Sequence, residues 1–85
     1  MESGQIEKAL CEFIRRELVA PEVSIEAATP LDSVGLDSFS FIEIVLFVER
    51  KFGVQLPDTA LTKSNLYSVV TITKCVLDHA AGIRS

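Results

Sequence analysis

Apolar residues at Ile6, Ala9, Leu10, Phe13, Ile14 and Leu18 recur every three or four positions, and Glu7, Lys8, Glu12, Arg15, Arg16 and Glu17 fill the gaps. That spacing puts the apolar groups on one face of a helix, predicted over about residues 3–18. Pro21 disfavours helical geometry at Ala20, so the helix is expected to stop near Val19. From Glu22 to Asp37 the helical period is lost and Pro30 and Gly35 interrupt the chain, which predicts a loop over 19–37. So long a loop in a short chain points to function or to packing of its own. Within it, Thr29 and Pro30 are placed to open a single helical turn through Leu31 and Asp32, with Thr29 as cap and Pro30 at the first helical position.

A second helix is predicted over 38–52, started by Asp37 as N-cap and ended by Gly53. It is apolar around nearly its whole circumference, with polar residues only at Ser40, Glu43, Glu49, Arg50 and Lys51 after Ser38. A small bundle cannot bury all of that surface. At ~100° per residue Ile44, Val45, Val48 and Phe52 share one inward stripe, which turns Phe39, Ile42, Leu46 and Phe47 toward solvent unless the preceding loop folds over them. Val54 to Pro57 reads as an extended link, and Thr62 as the cap of a short helix over about 63–66. Ser68 caps a last helix over 69–81, whose Val69, Ile72, Val76 and Ala80 form one face with Val70, Thr73 and Leu77 beside it and Gly82 beyond its end. The β-branched run Val69 to Thr73 is a poor intrinsic helix former that packing must hold. The pattern predicts an all-α fold, a small bundle of three main helices plus one short one, in a single domain over 1–85.

With 48% apolar and 24% charged residues, the chain carries ample material for a core. A net charge of −4 argues against nucleic acid as a partner and favours a cationic partner surface. Cys11 and Cys75 lack metal-ligand spacing and fall on apolar helix faces, which marks both as small buried hydrophobes. No stretch approaches the roughly 18 apolar residues of a membrane span, and the polar, acidic start is unlike a signal peptide, so a cytoplasmic location is expected. His79, the single histidine, stands near the end of the last helix, where a surface position suits the helix dipole.

Candidate chemistry concentrates at Gly35-Leu36-Asp37-Ser38-Phe39. Asp37 as cap places the Ser38 hydroxyl in the first helical turn, where unpaired N–H groups and the helix dipole favour an anion such as a phosphate ester. An Asp-Ser pair at a helix start is by itself usually only a cap. The longer string Leu31-Asp32-Ser33-Val34-Gly35-Leu36-Asp37-Ser38-Phe39, however, resembles the phosphopantetheine attachment motif of acyl carrier proteins and the related peptidyl carrier domains. Three further features stand in register with that family: Glu49 to Val54, Leu56-Pro57, and Ser68 to Ile72. The resemblance spans about Leu10 to Leu77.

The resemblance implies an acyl-carrier-like fold and a covalent 4'-phosphopantetheine arm, moved from coenzyme A onto Ser38 by a phosphopantetheinyl transferase. On that arm, acyl or aminoacyl groups ride as thioesters to loading, tailoring and condensing enzymes, and the chain itself, expected as a monomer, is not an enzyme. Gly35, Leu36 and Asp37 match the motif that presents the serine, and Phe39 stands where leucine is most often found. Leu46 falls at the family's exposed apolar contact, Glu43 and Glu49 match its acidic contacts, and Ile42 and Phe47 extend the partner surface. Arg50-Lys51 departs from the acidic second helix of fatty-acid carriers, which shifts recognition from electrostatic steering toward apolar contact.

The segment Leu61 to Leu66 is longer than in typical fatty-acid carriers and closer to amino-acid carriers. A free-standing carrier of a specialised, polyketide- or nonribosomal-like pathway is therefore preferred to one of fatty acid synthesis. Phe13, Ile14, Val48, Phe52, Val69, Ile72 and Val76 are the residues expected to line any interior shelter for an acyl chain, with a fully packed core as the alternative. A competing reading is an unmodified helical adaptor, which predicts a stable complex and no adduct on Ser38.

Overall fold

The structure, a computed structural model, describes residues 2–83. Helix α1 spans Ser3–Glu17, α2 Ser38–Phe52 and α3 Val69–Ile83, with 3-10 turns at Leu31–Val34 and Asp58–Ala60. No strand occurs among the described residues. The all-α expectation holds, and α2 has the predicted bounds. Helix α1 packs on α3 more extensively than on α2.

Each helix buries the centre of the stripe that its spacing implies. Ile6, Leu10 and Ile14 of α1, Ile44 and Val48 of α2, and Val69, Ile72 and Val76 of α3 are buried and meet in one core. Helix α3 overcomes its β-branched start partly through a reciprocal cap. The Thr71 N–H donates to Ser68 Oγ at 3.3 Å while the Ser68 N–H donates to Thr71 Oγ1 at 3.0 Å. Gly53 closes α2 in the left-handed conformation at φ 68°, its N–H donating to the Glu49 carbonyl at 3.0 Å. Gly82 lies inside α3, not beyond its end. A glycine costs a helix about 1 kcal/mol and does not forbid it.

The long loop is part of the core. Ile25, Leu31 and Leu36 are buried in it, and three hydrogen bonds pin the backbone around them. The Leu31 N–H donates to the Tyr67 carbonyl at 2.8 Å, the Val70 N–H to the Ala27 carbonyl at 2.9 Å, and Arg15 Nη2 to the Ile25 carbonyl at 3.0 Å. The Val70 bond also satisfies a first-turn N–H of α3 that no intrahelical partner reaches.

Two local expectations are corrected. Thr29 does not cap the turn that follows it: its hydroxyl accepts from the Glu26 N–H at 3.0 Å, and Pro30 stands before the 3-10 turn in extended geometry. The short helix at 63–66 is one hydrogen-bonded turn, with the Leu66 N–H donating to the Thr62 carbonyl at 2.9 Å and the Asn65 N–H to Thr62 Oγ1 at 3.1 Å. Thr62 thus caps as expected, but the chain must then straighten so that the Tyr67 carbonyl reaches Leu31. The regular element in this region comes earlier, at Asp58–Ala60.

One core polar group lacks a partner among the described residues: the hydroxyl of Thr73, 1% exposed. Thr73→Val is expected to stabilise the fold by about 1 kcal/mol, since it removes an unsatisfied buried hydroxyl at little cost in shape. The corresponding rise in melting temperature is roughly 4–8 °C for a chain of this size, and a fall instead would reveal an unrecognised hydrogen bond.

Candidate functional site

The loop delivers its last residues to the start of α2 in three steps. Gly35 ends the first 3-10 turn at φ 86°, a conformation that any other L-residue adopts only under strain. Leu36 then drops into the core at 8% exposure, which fixes the chain just before the helix. Asp37 follows in extended geometry as the N-cap, its Oδ1 accepting the Ser40 N–H at 2.9 Å. Ser38 is thereby the first residue of α2, with its side chain exposed at the positive end of the helix dipole.

The hydrogen bond from the Ser40 backbone, aided by the Ser40 side chain, holds the Asp37 carboxyl below the ordinary aspartate range of about 3.9. Because the folded-state value is the lower one, the ionised cap stabilises the fold above the unfolded-state pKa. That contribution is lost as pH falls through the depressed value. Asp37→Ala is therefore expected to lower stability at neutral pH, with the gap from the native chain narrowing on acidification. Denaturant melts across that range measure it, and a gap that does not change with pH would remove the charge from the account.

Two cavities open beside Ser38. One, of about 340 Å³, is almost wholly apolar and is walled by Phe41, Ile42, Val45 and Leu46 of α2 and by Leu61 and Leu66 across from them. The other, of about 670 Å³, shares Phe41, Leu61 and Leu66 with the first and adds Asp32, Leu36, Asp37, Thr62, Lys63 and Tyr67. Ile14, Val48, Val69, Ile72 and Val76, named as the lining of any interior shelter, are fully buried in the core, and none of them lines either cavity beside Ser38. The open apolar space next to the serine runs along the flank of α2, from Phe41 at the edge of the Ile44–Val48 stripe round to Leu46. Val45, expected in that stripe, is half-buried on the groove wall.

The outward face of α2 carries Phe39 at 66% exposure, Ile42 at 56% and Leu46 at 38%, so the loop does not cover them. Glu43 and Glu49 are half-buried. Phe47 is a correction: it turns inward, stacked on Phe13 with ring centroids 4.3 Å apart and edge-on to Phe52 at 6.3 Å. It lies about 60° around the helix from Ile44, close enough to the buried stripe for α1 to claim its ring. Tyr67, 52% exposed, and Lys63 were not among the expected site residues. Nothing in the residues around them marks either as a neighbour of Ser38; only the fold brings them to it.

The remaining chemistry-bearing groups lie elsewhere. Cys11 is half-buried and Cys75 buried, both free thiols whose pKa burial pushes up. His79 is half-buried on α3, its Nδ1 2.9 Å from the Cys75 carbonyl, and it lines neither cavity at Ser38. No described helix is long and apolar enough to cross a membrane.

A family model described as the phosphopantetheine attachment site matches residues 8–72. The chain belongs to this phosphopantetheine-attachment family, whose prosthetic group is covalent 4'-phosphopantetheine. It is 42% identical over 45 residues to an acyl carrier protein of Zymomonas mobilis subsp. mobilis, covering 53% of this chain and 58% of that one. Against an acyl carrier protein of Afipia carboxidovorans it is 40% identical over 42 residues, 49% of this chain and 53% of the relative. The chain thus spans about half the length of the curated relatives it matches. Among solved structures, it superposes with a TM-score of 0.70 and 26% identity on a chain from the Bradyrhizobium japonicum glycine:[carrier protein] ligase complexed with glycylated carrier protein, covering 87% of this chain and 97% of that one. In the same ligase complexed with its cognate carrier protein and an analogue of glycyl adenylate, the TM-score is 0.71 at 25% identity, with 89% and 96% covered. The residues present suit such a group: an exposed hydroxyl at a helix N-terminus, with one cavity of mixed lining and one apolar cavity opening beside it.

Proposed function

We propose that Ser38 is the attachment point of the phosphopantetheine arm and that the chain carries acyl or aminoacyl groups between the enzymes of a specialised pathway. The observation that carries this reading is the position of Ser38, exposed at the first residue of α2 and bordering both cavities. The arm, when bound, supplies a terminal thiol that holds the cargo as a thioester. The protein's own residues present the serine, shape its surroundings and offer α2 to partners; they catalyse nothing. Acyl cargo is supported by the relatives named acyl carrier proteins and by the apolar groove beside Ser38, aminoacyl cargo by the likeness to the glycylated carrier. Gly35, Leu36 and Asp37 are what a phosphopantetheinyl transferase meets around the hydroxyl.

The experiment is intact mass after incubation of the folded chain with coenzyme A, magnesium and a promiscuous phosphopantetheinyl transferase. A gain of about 340 Da is expected, one arm per chain. A folded chain that gains nothing would sink the carrier reading and leave a helical adaptor.

Partner enzymes are expected to dock on Phe39, Ile42 and Leu46, with Glu43 and Glu49 at the edge. Exposed apolar groups of this size beside a reactive position are what a transient interface needs at its centre. Ile42→Asp removes such a contact without opening the core, since Ile42 is 56% exposed. It should reduce kcat/KM of the transferase toward this chain by roughly 10-fold or more while leaving the melting temperature within a few degrees of the native value. Unchanged kinetics would move the docking surface off α2.

A further inference from the structure

The larger cavity beside Ser38 has a charge problem once the arm is in place. A phosphodiester on Ser38 adds a negative charge where Asp32 and Asp37 already line the wall, and the bond from Ser40 keeps the Asp37 carboxylate ionised. Lys63 is the one cation among the lining residues. It has no ion-pair partner within 4.0 Å among the described residues, whose one ion pair is Arg16–Glu17 on α1.

The backbone that holds Lys63 is fixed relative to the serine. Its turn is closed by the bonds of Leu66 and Asn65 to Thr62, and Asn65 Nδ2 donates to the Ala60 carbonyl at 2.7 Å. The Tyr67 carbonyl, in turn, accepts from Leu31 at the start of the 3-10 turn that leads to Asp37 and Ser38. Lys63 and Tyr67 thus stand on one wall and Asp32, Asp37 and Ser38 on the other. The cavity, about 670 Å³, falls within the roughly 300–1,000 Å³ usual for small-molecule sites. Its mixed lining suits a chain of amides and a hydroxyl beside a pair of geminal methyl groups, whereas the neighbouring groove suits hydrocarbon alone.

Resting on the assignment of Ser38 as the attachment point, we propose that Lys63 pairs with the phosphodiester and that the cleft between the first 3-10 turn and the Thr62–Tyr67 segment holds the pantetheine arm against the protein. The Tyr67 ring then faces the arm's geminal methyl groups. Because Lys63 is exposed, the pair is weak and screened by salt, so the arm parks between encounters and leaves readily when a partner offers a better site.

The test uses holo protein made with the transferase, its loading verified by intact mass, and NMR of the arm and backbone. Cross-relaxation is expected between the geminal methyl protons and the Tyr67 ring, together with amide shift changes from Thr62 to Tyr67 on going from apo to holo. Lys63→Met should lose at least about half of both signals and Lys63→Arg should retain them. About 1 M sodium chloride, where the screening length is near 3 Å, should weaken them in the native chain. A holo protein whose shift changes stop at Asp37 to Ser40, or a Lys63→Met holo protein indistinguishable from the native one, overturns the placement of the arm and leaves the carrier intact. Failure to load Ser38 at all overturns both.

Discussion

Ser38→Ala is expected to take up no phosphopantetheine under conditions that load the native chain to completion, and to fold as stably as before. The loss is total because the hydroxyl oxygen is the atom that bonds to phosphorus. The neighbouring serines are poor substitutes. Ser33 donates its hydroxyl to the Pro30 carbonyl at 2.6 Å inside the 3-10 turn, and Ser40 sits a further two residues along α2, half-buried, with its N–H held by Asp37. Stability survives because the Ser38 side chain is exposed and the cap bond is made by Asp37, which the substitution leaves in place. Intact mass and a thermal melt on the same sample separate the two effects. Loading of the variant would move the attachment point to another hydroxyl, for which Ser40→Ala is the next substitution.

How far these features were legible depended on whether they were local. Asp37 as cap, Gly53 as terminator and Ser68 as the start of α3 are short-range matters of hydrogen bonding and φ, and each was readable from a few neighbouring residues. The inward stripe of α2 was readable from its period, except at its edge. Phe47 lies near enough to Ile44 to face either way, and only the ring of Phe13 on α1 decides it. The loop was readable as a loop but not as core. Its apolar residues Ile25, Leu31 and Leu36 show no period, and what buries them is backbone pairing with Tyr67 and Val70 far along the chain. For the same reason Lys63 and Tyr67 gave no local sign of sharing a cavity with Ser38.

Leu31→Ala puts that long-range dependence to the test. Leu31 is fully buried, and its N–H makes the bond to Tyr67 that ties the loop to the chain entering α3. Truncating a leucine in such a place typically costs about 2–5 kcal/mol, the lost transfer energy plus that of the cavity left behind. An 85-residue chain has roughly 4–13 kcal/mol of stability in all, so the melting temperature should fall by more than about 10 °C. The site should suffer first. Leu31 opens the 3-10 turn that Gly35 ends and Leu36 anchors, so loosening it frees Asp37 and Ser38 while α1 and α3 still hold each other. Hydrogen exchange at the Leu31 and Val70 amides should then accelerate more than exchange within α1. Loading of Ser38 should slow at temperatures where helical circular dichroism is still native. A variant that melts within about 1 kcal/mol of the native chain would show that the loop is draped over the core, not built into it, and that the serine owes its position to α2 alone.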